Sequence, residues 1–232
     1  MANPIDPDRS TRSDGDATRE RLLAVALRQF ASQGYARTST RELAEAAQAN
    51  VAAISYHFGD KAGLYRALFD EPMAQAEATR LADPALSLPA LLRVFYEGFL
   101  HPLREGDEAR LCMKLHLREM LEPTGLSDGR LLQSIKPQHD ALVSALCRHV
   151  DARCDDAIQR LAVSLAGLAV HLHVGRDVID GLAPDLMARA GSIDRWVDTL
   201  TQFGLAMVDS EIRRRQQARR PAAAPRRKAQ EP

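Results

Sequence analysis

The chain has 232 residues, 45% of them hydrophobic, which is enough to bury a substantial core in one or two domains. Lys and Arg number 31, as do Asp and Glu, so no global basic excess marks a nucleic-acid partner. The three cysteines do not suit a paired disulfide framework, the opening MANPIDPDRS has no apolar run for a secretory signal, and the apolar run Ala162 to Val170 is short of the roughly 20 residues of a bilayer span. A cytoplasmic protein without a membrane partner is the expectation.

Residues 1–15 are polar and read as a disordered extension. A helix follows, with Leu22, Leu23, Ala26, Leu27 and Phe30 on one face and Gly34 as its left-handed C-terminal stop. Ser39 and Glu42 spell a capping box for a second short helix, whose inner side is Leu43, Ala44 and Ala47. Asn50 caps a third, with Val51, Ile54 and Phe58 predicted inward and Ala52, Ala53, Ser55, Tyr56 and His57 outward. Gly59-Asp60 ends it. A fourth helix is predicted from Lys61 to about Arg80.

Further apolar stripes predict helices throughout the rest. They run through Leu91 to Phe99, Leu111 to Leu115, Leu142 to Val150 (after Pro137, which kinks or starts that helix), Ile158 to Leu172 and Ile193 to Val208. No segment alternates with a period of two, so the fold class is all-α. After Ile212 the apolar pattern stops. From Glu211 onward eight basic residues face two acidic ones, a local +6, so residues 1–210 carry −6 and any DNA contact must come from local placement. The tail, 213–232, reads as flexible. It either adds non-specific DNA affinity or is simply solvated.

The stretch from Thr38 to Leu64 has the layout of a helix-turn-helix, which sets one short helix against base edges in a major groove about 12 Å wide. Ala52 and Ala53 are small enough for close approach and could meet thymine methyls. Ser55, Tyr56 and His57 offer hydroxyls and an imidazole. Thr40 and Arg41 reach from the preceding helix, and Lys61 opens the next, where a phosphate is favoured.

These residues, Gly34-Tyr35, Thr38 through Ala44, Ser55-Tyr56-His57-Phe58, and Lys61 with Leu64, resemble the TetR family of bacterial transcriptional repressors. The resemblance implies phosphate contacts for Tyr56, His57 and Lys61, with Thr40 and Arg41 supplied by the supporting helix. Many members carry two adjacent aromatics before the histidine; here the first is Ser55. The segment Leu117 to Thr124, with Lys136-Pro137, is similar to the CecR-type subgroup. The implied organisation is a helix-turn-helix DNA-binding domain over residues 16–64 and a helical domain over 65–212 that binds an effector and dimerises.

For the helical domain, Phe95, Phe99, Met113, His116, Met120 and His171 are candidate pocket residues. Leu161, Leu165, Leu168, Trp196, Leu200, Phe203 and Met207 are candidate interface residues for a homodimer. Such a dimer would hold two reading helices about 34–36 Å apart on double-stranded DNA. Cys112 and His116 share a helical face, but two local ligands do not make a metal site, and no cofactor is expected. Cys147 and Cys154 read as small buried hydrophobes or surface thiols. Neither a Gly-rich phosphate loop nor a nucleophile-base pair points to an enzyme. The expected function is a dimeric repressor released from a palindromic operator by a small molecule. The alternative is a helical ligand-binding or interaction protein that has lost DNA binding.

Overall fold

The computed structural model describes residues 7–70, 75–104 and 107–219. Among them every regular element is helical: α1 (Pro7–Gln33), α2 (Thr40–Ala46), α3 (Val51–Phe58), α4 (Lys61–Ala67), α5 (Gln75–Leu81), α6 (Leu88–Arg104), α7 (Asp107–Leu121), α8 (Arg130–Val150), α9 (Asp156–Val174), α10 (Arg176–Leu182), α11 (Asp185–Ala188) and α12 (Ser192–Arg219).

Two apolar cores organise these helices. The first joins α1 to α4 through Leu22, Phe30, Leu43, Ile54, Leu64, Tyr65 and Phe69, and it also takes Leu115 from α7. The second joins α6, α8, α9 and α12 through residues such as Leu92, Phe95, Tyr96, Leu146, Leu165 and Leu200. The boundary expected between residues 64 and 65 therefore falls inside α4, because Tyr65 and Phe69 belong to the first core. In the second domain α6 and α12 run antiparallel. Gly204 lets them close up, since a Cβ there would meet Leu92 and Leu165 side chains at 3.2 Å. Arg93–Asp198 and Arg104–Asp194 ion pairs flank this seam.

Several boundaries differ from the sequence expectation. Helix α1 starts at Pro7, so residues 7–15 are helical rather than disordered, while residues 1–6 lie outside the described residues. Proline suits the first helical position, and each residue added to an established helix gains one hydrogen bond. The fourth helix does not run to Arg80. It ends at Ala67, where the Leu68 and Phe69 amides turn back onto the Tyr65 and Arg66 carbonyls. Helix α8 starts at Arg130 and carries Pro137 inside it. Helix α12 continues to Arg219, so residues 213–219 are not flexible; residues 220–232 lie outside the described residues. Arg214 and Arg215 bind Glu211, Arg215 also binds Asp155, and Arg219 donates to the Asp151 carbonyl. These acceptors come from α12's own turn and from the α8–α9 connection, which the sequence does not place beside the tail.

Two further corrections concern the second domain. Cys147 and Cys154 are joined by a disulfide, with Cα atoms 5.7 Å apart, where only thiols were expected. The tight turn at Asp151 folds the two cysteines together, and their sequence separation alone carries no such signal. Helix α9 is also long and apolar enough to cross a membrane by length and composition, although its longest uninterrupted apolar run is short. Only 33% of that apolar window is buried within the chain: Ile158, Leu161, Ala162, Leu165, Ala169 and Leu172 point into the core, and the opposite side is left uncovered.

Candidate nucleic-acid interface

The reading unit is held by local hydrogen bonds that the sequence encodes. Thr38 is buried, and its hydroxyl donates to the Gly34 carbonyl at 3.0 Å, closing the end of α1. Ser39 and Glu42 form the capping box in both directions, at 3.1 and 3.2 Å. Two of α2's orphan amides are thereby satisfied, and the direction in which α2 starts is set. The α2–α3 turn passes through Gln48 in the left-handed region, φ 50°, and Asn50 then caps α3 by accepting from the Ala52 amide at 2.9 Å.

The α3–α4 junction is tighter still. Gly59 has φ 82°, and Asp60 caps α4 through the Gly63 amide at 2.6 Å. A Cβ on Gly63 would lie 1.8 Å from the Phe58 carbonyl oxygen, so only glycine permits α4 to start directly against the end of α3.

At roughly 100° per residue, α3 divides cleanly into two faces. Ile54 is buried, and Ala53, His57 and Phe58 are half-buried, with Ala53 and Phe58 packed on the first core. Val51, Ala52, Ser55 and Tyr56 are exposed on the opposite arc. Three expectations change here: His57, expected outward, is half-buried on the inner arc. Ala53 faces the domain rather than outward. Val51, predicted to be core, is 45% exposed. Ile54 and Phe58 alone would put Val51 only about 40° from the inward direction, but the arc that also includes Ala53 and His57 is centred about a quarter-turn from it, which places Val51 outside. Tyr56 is 84% exposed, which leaves most of an aromatic ring in water. Its ring meets His57 edge-on at 4.8 Å, so the two side chains occupy one rim.

Thr40 and Arg41 sit in the first turn of α2, Thr40 half-buried and Arg41 exposed. Lys61 opens α4 and is half-buried. Its ammonium stands 4.1 Å from the centre of the Tyr35 ring, and burial lowers its pKa. The lysine is thus aimed by an aromatic wall in which Tyr35 also contacts Phe30 and Tyr65. Arg19 of α1 covers Phe58 at 5.4 Å, and Arg37 is exposed in the loop before α2. Neither arginine was singled out from sequence. Only the fold shows that α1 packs beside α3.

The link to the second domain is polar and buried. The Tyr65 hydroxyl on α4 donates to Glu119 on α7 at 2.8 Å, and Glu119 also accepts from the amide and hydroxyl of Thr124. Burial and this carboxylate push the Tyr65 pKa well up. Arg118, next along α7, donates to the Ala31 and Ser32 carbonyls at the end of α1. Helix α7 is therefore fastened to both α1 and α4.

The six candidate pocket residues do not converge. Phe95 is buried and Phe99 half-buried in the second core; His116 is buried against Phe69 of the first, 4.9 Å between rings. Met113 is half-buried, and Met120 and His171 are exposed. Two buried hydroxyls in the second domain were not singled out from sequence. The Tyr96 hydroxyl and the Thr201 hydroxyl are buried on the facing helices α6 and α12 and have no hydrogen-bond partner. Burial drives the Tyr96 pKa strongly up, so the hydroxyl keeps its proton.

Of the candidate interface residues, Leu161, Leu165 and Leu200 are buried in their own chain's core. Leu168, Trp196 and Met207 are half-buried, and Phe203 is 52% exposed. An open groove runs between α9 and α12, lined by Ala157, Arg160, Ser164, Met207, Ser210 and Arg214 among others. Among the described residues no group of three or more His, Cys, Asp or Glu could hold a metal ion.

A capped two-helix reader on a helical bundle defines a DNA-binding transcriptional regulator of the helix-turn-helix class. Comparison with known proteins agrees. The family model for bacterial regulatory proteins of the tetR family matches residues 22–68, and that for the C-terminal domain of the HTH-type transcriptional dual regulator CecR matches residues 88–208. The chain belongs to the TetR family, with a CecR-type C-terminal domain. It is similar to the HTH-type transcriptional regulator TtgR of Pseudomonas putida, 26% identical over 202 residues, covering 82% of this chain and 93% of that one. CecR of Shigella flexneri is 28% identical over 179 residues, 71% of this chain and 79% of its own length. The solved structure of the SmeT–triclosan complex shares the fold, with a TM-score of 0.61 at 22% identity over 82% of this chain and 90% of that chain.

Proposed function

We propose that the protein is a dimeric repressor that reads a palindromic operator through α3 and leaves it when a small molecule occupies the helical domain. The observation that carries this reading is the outward face of Val51, Ala52, Ser55 and Tyr56. It pairs two small side chains with a hydroxyl and a largely solvated aromatic, on a helix braced at both ends by caps. Thr40 and Arg41 at the start of α2 and Lys61 at the start of α4 would meet phosphates, and Tyr56 and His57 would contact the DNA backbone beside α3.

Dimerisation is supported by the uncovered side of α9 and its neighbour α12. Val163, Leu168, Trp196, Phe203 and Met207 leave an apolar strip that a two-fold partner would bury in a four-helix arrangement. The unpartnered Tyr96 and Thr201 hydroxyls support an effector that is mostly apolar, with one or two polar groups. The fold neighbour SmeT is solved in complex with a small molecule, triclosan. Tyr65–Glu119 and the Arg118 contacts would carry the effector's displacement of α7 to the reading unit. Such coupling must be reciprocal, so operator DNA would weaken effector binding by the same factor. Acting on DNA places the protein in the cytoplasm, and its role involves no catalysis.

The test is a mobility-shift and footprinting experiment with the region upstream of the protein's own gene. A protected imperfect palindrome with half-sites about one helical turn apart, bound by a dimer in sedimentation, is the expected result. Absence of any shift at low salt would refute it.

A further inference from the structure

We propose that Cys147 and Cys154 form a reversible thiol–disulfide site that sets the order of the α9–α12 surface and, through it, DNA affinity. The regulatory consequence rests on the dimer reading above; the site itself does not.

The pair closes the connection between α8 and α9. Cys147 is half-buried at the end of α8 and packs against the second core, whereas Cys154 is exposed. An attacking thiolate can therefore reach the Cys154 sulfur from solvent, and exposed disulfides are the labile ones. The covalent loop spans a sequence separation of only 7, and short loops remove little chain entropy from the unfolded state. The surrounding fold has its own support, since Leu142, Leu146, Val150, Ile158 and Leu161 are buried on both sides of the turn. Reduction would then open the connection without unfolding the bundle.

Four hydrogen bonds that meet at this connection carry its state outward. Asp151 takes a left-handed conformation, φ 49°, and its carbonyl accepts from Arg219 of α12. Asp155, the residue after Cys154, caps α9 through the Ala157 and Ile158 amides. The same carboxylate binds Arg215 of α12 at 2.7 Å, which holds its pKa at about 2. Arg215 is in turn fastened to Glu211, a lining residue of the α9–α12 groove. With the disulfide closed, the start of α9 and the end of α12 are tied to one fixed turn. With it open, residues 151–155 regain backbone freedom, and these contacts must be held against that entropy.

The chemistry balances with two reagent classes. A hydroperoxide accepts two electrons from the two thiols; the sulfur–sulfur bond forms, and an alcohol or water and one further water leave. In the reverse direction a dithiol's thiolate attacks the Cys154 sulfur, and Cys147 departs as a thiolate and takes up a proton. The dithiol's second thiol then resolves the mixed disulfide and releases Cys154 as a thiol.

The experiment uses the full chain cycled between hydrogen peroxide and dithiothreitol. Alkylation followed by peptide mass mapping should show Cys147 and Cys154 protected after peroxide and tagged after dithiothreitol. Amide exchange over residues 151–164 and 206–219 should be several-fold faster in the reduced protein. Affinity for a duplex of the upstream region should be about fivefold weaker in the reduced protein. The double variant Cys147→Ser/Cys154→Ser should behave as reduced in both conditions, and Cys154→Ser alone keeps the Cys147 packing should the double variant fold poorly. Cysteines tagged in both conditions, or protected in both, would overturn the site, and so would equal exchange rates in the two states. Exchange that follows the thiol state in a protein that binds no DNA would retain the switch and remove the operator reading. DNA binding that ignores the thiol state would overturn the regulatory consequence and leave the operator reading standing.

Discussion

Replacing Tyr65 by Phe removes one oxygen from the buried joint between the two domains. The ring stays in place, because Phe30, Tyr35 and Phe69 pack around it at 5.1, 5.2 and 5.3 Å between centroids. No cavity forms, so the whole effect comes from Glu119. That residue is buried, and one of its oxygens loses the 2.8 Å bond from the Tyr65 hydroxyl while the Thr124 amide and hydroxyl remain. A hydrogen bond to a charged group contributes about 1.5–3 kcal/mol, and leaving a buried acceptor short of a donor adds to that. The expected loss is about 3 kcal/mol of global stability, read from urea unfolding followed by the fluorescence of Trp196, the single tryptophan. Glu119→Gln should cost a similar amount, since its amide presents donors toward the Thr124 donors. The double variant should cost less than the sum, by about 1–2 kcal/mol, as two groups in direct contact do. The effector's ability to release DNA should weaken in both single variants. A loss below about 0.5 kcal/mol for Tyr65→Phe, additive with Glu119→Gln, would refute the view that this bond fastens α4 to α7.

Gly63→Ala should destabilise the reading unit by about 2–4 kcal/mol, because the new methyl meets the Phe58 carbonyl and the Asp60 cap must open; thermal unfolding measures it. Tyr56→Ala should leave stability within about 0.5 kcal/mol, given its exposure, yet lower DNA affinity about tenfold. Anisotropy titrations across operator variants separate the causes: uniform weakening marks a phosphate contact, relaxed selectivity a base contact. Burial depresses the pKa of both His116 and His173, so the unfolded chain binds more protons than the folded one over the affected range. Their stabilising effect is complete above the unfolded value of about 6.5 and is lost as pH falls through the lowered folded values. The melting temperature should accordingly drop between about pH 7 and pH 5, and His116→Phe should shallow the drop. An unchanged slope would show that His116 stays exposed to solvent protons.

Much of the first domain was legible because its determinants are local. Ser39 with Glu42, Asn50, and Gly59 with Asp60 act within three residues of themselves, and all form the caps and stops their identities suggest. The face of α3 was half legible. Ile54 fixes the inward direction, but whether Ala53 or Val51 lies at its edge depends on where α1 and α4 press, and pressing is not local. Gly63 has no local signal of its own; its need for glycine comes from the Phe58 carbonyl against it.

In the second domain the stripes predicted helices correctly, but a stripe carries no address. Leu161, Leu165 and Leu200 were candidates for a partner chain and are consumed by their own core, while the other side of α9 remains apolar and uncovered. His116 and Phe95, grouped by residue type as pocket candidates, belong to separate cores. Cys147 and Cys154, and Arg215 with Asp155, meet only because the turn at Asp151 brings α8 back toward the end of α12. The amino-acid order by itself determined the helical class, the capped reader and the family, since periodicity, caps and turn glycines are set by neighbours within a few residues. Which face each helix hides, and which distant side chains become partners, was decided only by tertiary packing, because those choices depend on residues tens to a hundred positions away.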